Sequence, residues 1–319
     1  SMDRFALLVD AGYFFAGGSE AAFGMVAPRR DLRLRDTSMA VQELHEQAGA
    51  LCGGLPLLRV YWYDAMPGPQ LSLEQSELAL QPGLKLRLGV LNNVGQQKGV
   101  DSLIVTDLID LARNRAIADA VVLSGDEDIR VGVQLAQSYG LKVHLWGAGD
   151  TAHNVSNALR MESDTFSAIE NSWFQASLER VDRQVDSAEG RATAAQVTVD
   201  VIDGESLESA ADRVSMEMLS ALDQRDLQQL EAHFRLDQRV PVEYDRRLIA
   251  ATAVTLGGTR FSSDEMRTVR GVFVTVVRRL ASGETTAPVA TSTLSMASQA
   301  ALTEMARNLS LSAADTPTP

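Results

Sequence analysis

Three short stretches place carboxylates at the ends of apolar runs or the starts of helix-like ones. Asp10 closes Leu7-Leu8-Val9, Asp101 follows Lys98-Gly99-Val100, and Asp126 and Asp128 sit in Ser124-Gly125-Asp126-Glu127-Asp128. Carboxylates gathered at strand ends repel one another, and they are tolerated mainly when a divalent cation neutralises them. Such a site points to metal-dependent phosphoryl-transfer chemistry, with an activated water attacking phosphorus. No histidine or serine nucleophile is then needed, and no triad is legible. Zinc of usual ligation is excluded, because the chain has 4 scattered histidines and 1 cysteine.

Each acid has a plainer structural reading beside the chemical one. Asp10 precedes Gly12 and can be a simple turn residue. Asp101 can cap a helix, yet Val105, Leu108 and Ala112 fall within about 40° of it on a helical wheel. That places it on an apolar face, where a carboxylate needs a partner. Asp128 can be a helix-start acid favoured by the dipole, but Asp126 and Asp128 beside one turn resemble a cation clamp, with Glu127 turned away. Asp107 projects to the edge of the Asp101 face. It and Ser124 are expected to stand behind the ligands rather than among them.

Substrate contacts are expected from a loop-like insertion carrying Arg29, Arg30, Arg33 and Arg35, and from Lys98, which could guide a phosphate backbone. The alternative is a solvated charged loop. Tyr13 could stack on a base, or pack in the core.

These residues must be positioned by an α/β frame. Apolar or β-rich runs at residues 5–9, 57–63, 84–91, 120–123, 141–145 and 165–169 read as strands. Residues 38–52, 100–114, 127–138 and 153–162 read as helices, and residues 11–13 as a turn. Strands alternating with helices imply a parallel sheet covered on both faces, with sites beyond the carboxyl ends of its strands.

Composition divides the chain of 319 residues. Residues 1–178 hold 14 basic and 21 acidic side chains, residues 182–238 hold 5 and 13, and residues 239–281 reverse to 8 and 4. We read an α/β domain at 1–178, an acidic linker at 179–212, a small helical module at 213–281 and a largely disordered tail at 282–319 with a helix-like stretch at 297–309. Within the module, helices are expected at 213–233, 245–255 and 264–280. The net charge of −13 argues against broad nucleic-acid affinity but leaves room for a local basic path. No apolar run is long enough for a membrane span, and the single Cys52 fits a reducing cytoplasm.

In order and spacing, LLVDAGY at 7–13, QQKGVD at 96–101, LARNRAIADAVVLSGDEDI at 111–129 and GLKVHLWG at 140–147 resemble the NYN domain, a branch of the PIN-like nucleases. The resemblance covers roughly residues 4–170 and is nearest to bacterial members with a following helical module, here marked by VPVEYDRRLIAATAVTLGG at 240–258. It implies a three-layer α/β/α fold around a parallel sheet. It also implies an acidic centre that binds Mg²⁺ or Mn²⁺ and cuts RNA, with ligation carried onto Asp10, Asp101, Asp126 and Asp128. Many relatives have Asp-Gly-x-Asn after the first strand; this chain has Asp10-Ala11-Gly12-Tyr13 and lacks that amide.

Two functions of different class follow. One is a metal-dependent ribonuclease. The other is an RNA-binding or regulatory scaffold that keeps the acidic cluster with little or no turnover. In either, Arg246, Arg247, Arg267, Arg270, Arg278 and Arg279 of the module could meet RNA, a protein partner or a second copy of the chain.

Overall fold

The computed structural model describes residues 3–66, 68, 70–91, 97–181, 200–258 and 260–283. The linker stretch 182–199 and the tail from 284, with its helix-like 297–309, lie outside the described residues, as does the side chain of Lys98. Residues up to Ser282 cluster as one unit, so the α/β part and the helices after it form a single body.

The first strand, β1 (Phe5–Asp10), is buried along its length until Asp10. Its residues 5–9 are apolar because it pairs in parallel on both sides, with β3 (Leu57–Ala65) and with β6 (Asp119–Leu123). Beyond them lie β4 (Leu84–Leu91) and its short antiparallel neighbour β5 (Gln97–Lys98) on one side. On the other lie β7 (Lys142–Gly147) and β8 (Thr165–Ala168). The order is β5-β4-β3-β1-β6-β7-β8, with six strands parallel. The chain winds outward from β1 in one direction and then in the other, so β1 marks the topological switch point.

Helices cover both faces, giving three layers. On one, α1 (Ala11–Phe23) and α2 (Thr37–Leu51) enclose Phe14, Phe15, Trp62 and Leu44. Phe174, on α8 (Asn171–Ser177), closes this layer. On the other, α4 (Val100–Arg113) and α5 (Arg130–Ser138) cover Leu8, Val122 and Leu145 with Ile104, Leu108 and Val133.

Several elements depart from the sequence reading. Residues 11–13 are the first turn of α1, not a free turn. Glycines hide that helix from propensity, and packing demands them: a Cβ on Gly17 would lie 2.5 Å from the Ala148 carbonyl oxygen, and one on Gly18 2.7 Å from the Phe174 ring. Residues 127–129 form a 3₁₀ turn before α5. The expected helix at 153–162 is split into α6 (Thr151–Asn154) and α7 (Asn157–Glu162), because Ser156 caps the second. The insertion is ordered: β2 (Leu32–Leu34) pairs antiparallel with β9 (Leu178–Arg180).

Among its described residues the C-terminal part forms four helices: α9 (Leu207–Ser220), α10 (Gln224–Leu236), α11 (Val242–Thr255) and α12 (Ser263–Ala281). The single helix expected at 213–233 is two, because Asp223 turns its carboxylate onto the Asp226 amide at 2.8 Å and starts α10. Val214, Leu230, Phe234, Leu248 and Phe273 build a separate core. Leu73 of α3 (Leu73–Ala79), an element of the α/β part, packs against that core.

Polar contacts fasten the two parts. Arg33 on β2 pairs with Glu179 and, at 2.7 Å, with Asp226 of α10. Gln229 donates to Glu77 at 3.0 Å, and Arg225 to the Thr37 hydroxyl at 3.1 Å. The module is therefore docked beside the carboxyl ends of β1 and β3.

Candidate metal centre at the switch point of the sheet

The sheet brings all four predicted ligands to one end of the strands. Asp10 closes β1 and caps α1: its Oδ1 accepts from the Tyr13 amide at 3.1 Å. Its second oxygen, Oδ2, accepts from the buried Ser124 hydroxyl at 3.2 Å, just past the end of β6. The Ser124 oxygen in turn accepts from the Asp126 amide at 3.3 Å, and Asp126 caps the 3₁₀ turn by accepting from the Asp128 amide at 3.0 Å. Asp10 thus caps α1, and Asp126 the 3₁₀ turn, each through one carboxylate oxygen.

Asp101 enters from the first turn of α4. It is not the cap; Gly99 is, at φ +115°, a conformation that favours glycine. Oxygens of Asp101, Asp126 and Asp128 lie within 4.8 Å of one another. Asp10 stands beside this trio. Burial pushes its carboxyl up to about 6; the Tyr13 amide and Ser124 hydroxyl pull the other way, while the charges of Asp101 and Asp126 add to the rise. The Asp101 carboxyl is raised as well, by burial first and then by Asp126 and Asp128. Among the described residues no lysine or arginine pairs with any of the four. A hard-oxygen donor set in which the Asp10 and Asp101 carboxyls are raised fits a divalent cation such as Mg²⁺ or Mn²⁺.

The loop geometry explains the glycine of Ser124-Gly125-Asp126. A Cβ there would fall 2.0 Å from the Asn154 carbonyl oxygen and 2.7 Å from the Tyr13 ring. Glu127 reaches away, as expected, and accepts from Ser156 at 3.1 Å.

Other expected residues are engaged elsewhere. Tyr13 occupies the place of the missing amide. Its hydroxyl donates to Asn154 at 3.0 Å and accepts from the Ala148 amide at 3.1 Å, so it braces the floor rather than offering a stacking face. Asp107 lies away from the trio, held by Arg87 at 3.1 Å and accepting from the Tyr63 hydroxyl at 3.0 Å. Arg29 lies over the Phe15 ring at 3.4 Å and pairs with Glu74 at 2.7 Å, and Arg33 is committed to the module. Arg30 remains exposed, with only Asp31 at 3.8 Å. In the module, Arg267, Arg270 and Arg279 pair with Asp264, Asp245 and Asp212, while Arg246, Arg247 and Arg278 are exposed.

A cleft of about 1070 Å³ runs from Asp10 and Asp101 to the module, where Asp226, Gln229 and Tyr244 form its far wall. Tyr63 and Asp64 line it too, and the sequence reading did not select them. Their signal was position: both lie near the carboxyl end of β3, and Tyr63 is the register partner of Asp10.

The fold and the acidic centre define a PIN-like domain of the nuclease superfamily. The chain belongs to the NYN family: the NYN domain model matches residues 4–170. It is similar to the uncharacterised protein y4oD of Sinorhizobium fredii (strain NBRC 101917 / NGR234), with 41% identity over 211 residues, covering 64% of this chain and 95% of that protein. It also aligns with the crystal structure of a protein of unknown function, VPA0982, from Vibrio parahaemolyticus RIMD 2210633. That match has 19% identity and a TM-score of 0.39, over 53% of this chain and 93% of the other.

Among the described residues no helix is long and apolar enough to cross a membrane.

Proposed function

We propose that this chain is a metal-dependent ribonuclease that hydrolyses RNA phosphodiester bonds. The observation that carries the reading is the meeting of Asp101, Asp126 and Asp128 within 4.8 Å, beside a carboxyl of raised pKa, at one end of a cleft. Asp10, Asp101, Asp126 and Asp128 would hold the cation, Mg²⁺ or Mn²⁺. When bound, it supplies an activated water and neutralises charge at the scissile phosphate. The chain does the rest. Ser124 fixes the Asp10 carboxylate, the 3₁₀ turn fixes Asp126 against Asp128, and the module narrows the approach. Arg30, exposed and held only at 3.8 Å by Asp31, is one candidate for a phosphate contact, and Lys98 is another. The division at residues 178, 212 and 281 belongs to this reading, as does a reducing cytoplasmic setting for Cys52.

The test is RNA cleavage with Mn²⁺ or Mg²⁺, wild type beside Asp126→Asn. Products from the wild type alone are expected. Full activity in the variant would sink the mechanism.

Tyr13 favours a second reading. It stands at the sequence position where the resembled pattern carries an asparagine, and its hydroxyl is engaged by Asn154 and Ala148, which suits a scaffold that binds RNA with little turnover. Calorimetric metal binding without products from either protein would select that reading.

A further inference from the structure

We propose that Arg59, Lys85 and Arg87 form a phosphate-tracking strip that leads an RNA strand along β4 to the acidic centre. The inference rests on the ribonuclease or RNA-binding reading above. It concerns the side of the centre away from the docked helices.

The register of the sheet puts these cations on one face. Lys85 pairs with Tyr61 and Arg87 with Tyr63, the face covered elsewhere by α4. Arg59 and Arg87 each hold a guanidinium carbon 5.7 Å from the Tyr61 ring centre, and Tyr61 stacks on Tyr63 at 6.3 Å and 18°. The Tyr61 ring thus helps to hold the two guanidinium groups in place. Lys85 and Arg87 are exposed and Arg59 half-buried. Arg87 is partly neutralised by Asp107, but among the described residues neither Arg59 nor Lys85 has a carboxylate partner. In a chain of net charge −13, three adjacent cations with one acid between them stand out from the surface around them.

The strip is continuous with the site. Alternate residues of a strand lie about 6.8 Å apart on one face, a spacing that suits the phosphates of an extended single strand. Lys85, Arg87 and Gly89 are successive positions of this kind. A Cβ on Gly89 would come within 2.9 Å of Val100, the neighbour of Asp101, so the next step beyond Arg87 reaches the ligand helix. Tyr63, register partner of both Arg87 and Asp10, joins the strip to the cleft. Duplex RNA presents its phosphates on two ridges and does not match a single line of cations.

The test measures binding of a short unpaired RNA to the full chain carrying Asp126→Asn, with Mn²⁺ and across a salt series. Lys85→Glu and Arg59→Gln are added singly, and wild-type cleavage is followed in parallel. Each variant is expected to weaken binding roughly ten-fold at low salt and to reduce the log–log salt slope by about 0.7. Arg59→Lys should keep both. Unchanged affinity and slope in Lys85→Glu and Arg59→Gln would overturn the strip, and the ribonuclease reading would stand if the wild type still cleaves. Equal loss in Arg59→Lys and Arg59→Gln would also overturn it, since packing on Tyr61 would then be the cause. Neither RNA binding nor cleavage would overturn both readings together.

Discussion

The Ser124 hydroxyl donates to Oδ2 of Asp10 at 3.2 Å, tying the end of β1 to the end of β6. The Ser124 hydroxyl oxygen in turn accepts from the Asp126 amide. One buried hydroxyl therefore joins the Asp10 carboxylate to the Asp126 backbone.

Ser124→Ala should expose that role. It strands a buried carboxylate oxygen and an amide, a cost of about 1–3 kcal/mol. We expect lower stability in urea unfolding and weaker Mn²⁺ binding by calorimetry. Metal affinity equal to wild type would show that Ser124 only packs.

Gly125→Ala should be worse than its size implies. The added methyl meets the Asn154 carbonyl oxygen at 2.0 Å, and backbone cannot yield as a side-chain tip can. Overpacking of this kind costs about 1–3 kcal/mol or more, and it displaces Asp126. Both a lowered melting temperature and lost cleavage are expected, and a crystal structure of the variant would locate the shift.

The pH dependence follows from Asp10. Its folded pKa, about 6, is above its ordinary value of 3.8, so between those values the folded chain binds more protons than the unfolded one. The stability contributed by this group is present below the lower value and lost as pH rises through the upper one. At neutral pH the metal-free chain therefore holds an unrelieved negative cluster. Mn²⁺ should raise the melting temperature clearly at about pH 7.5 and little at about pH 5, where protons compete with the cation. Equal stabilisation at both would place the metal elsewhere.

Arg33→Ala should loosen the docked helices. Arg33 is the side chain that bridges Glu179 and Asp226, all about a quarter exposed. Partial burial puts the expected loss between that of surface and buried pairs, about 1–3 kcal/mol. Hydrogen exchange should rise in α10 before it rises in β1. Unchanged protection there would mean that Leu73 and the α10 contacts alone hold the module.

The sequence by itself made legible the sheet and the acidic residues at the carboxyl end of its strands. Asp10, Asp101 and Asp126 lie at strand ends or helix starts that apolar runs made readable, because a parallel sheet buried on both faces leaves long uninterrupted hydrophobic strands. The alternation of β1, β3, β4, β6 and β7 with helices then fixed the end at which these acids gather. Tertiary structure alone decided the rest. Whether a cation is free depends on which carboxylate folds against it: Arg29 and Arg33 are spoken for, while among the described residues Arg59 and Lys85 have no carboxylate partner, and nothing local distinguishes them. The helix at Ala11–Phe23 was hidden because its glycines answer to Ala148 and Phe174, residues far along the chain. The cleft wall at Asp226 and Tyr244 arises from the docking of α10 and α11, a contact between distant segments that no periodicity in either one encodes.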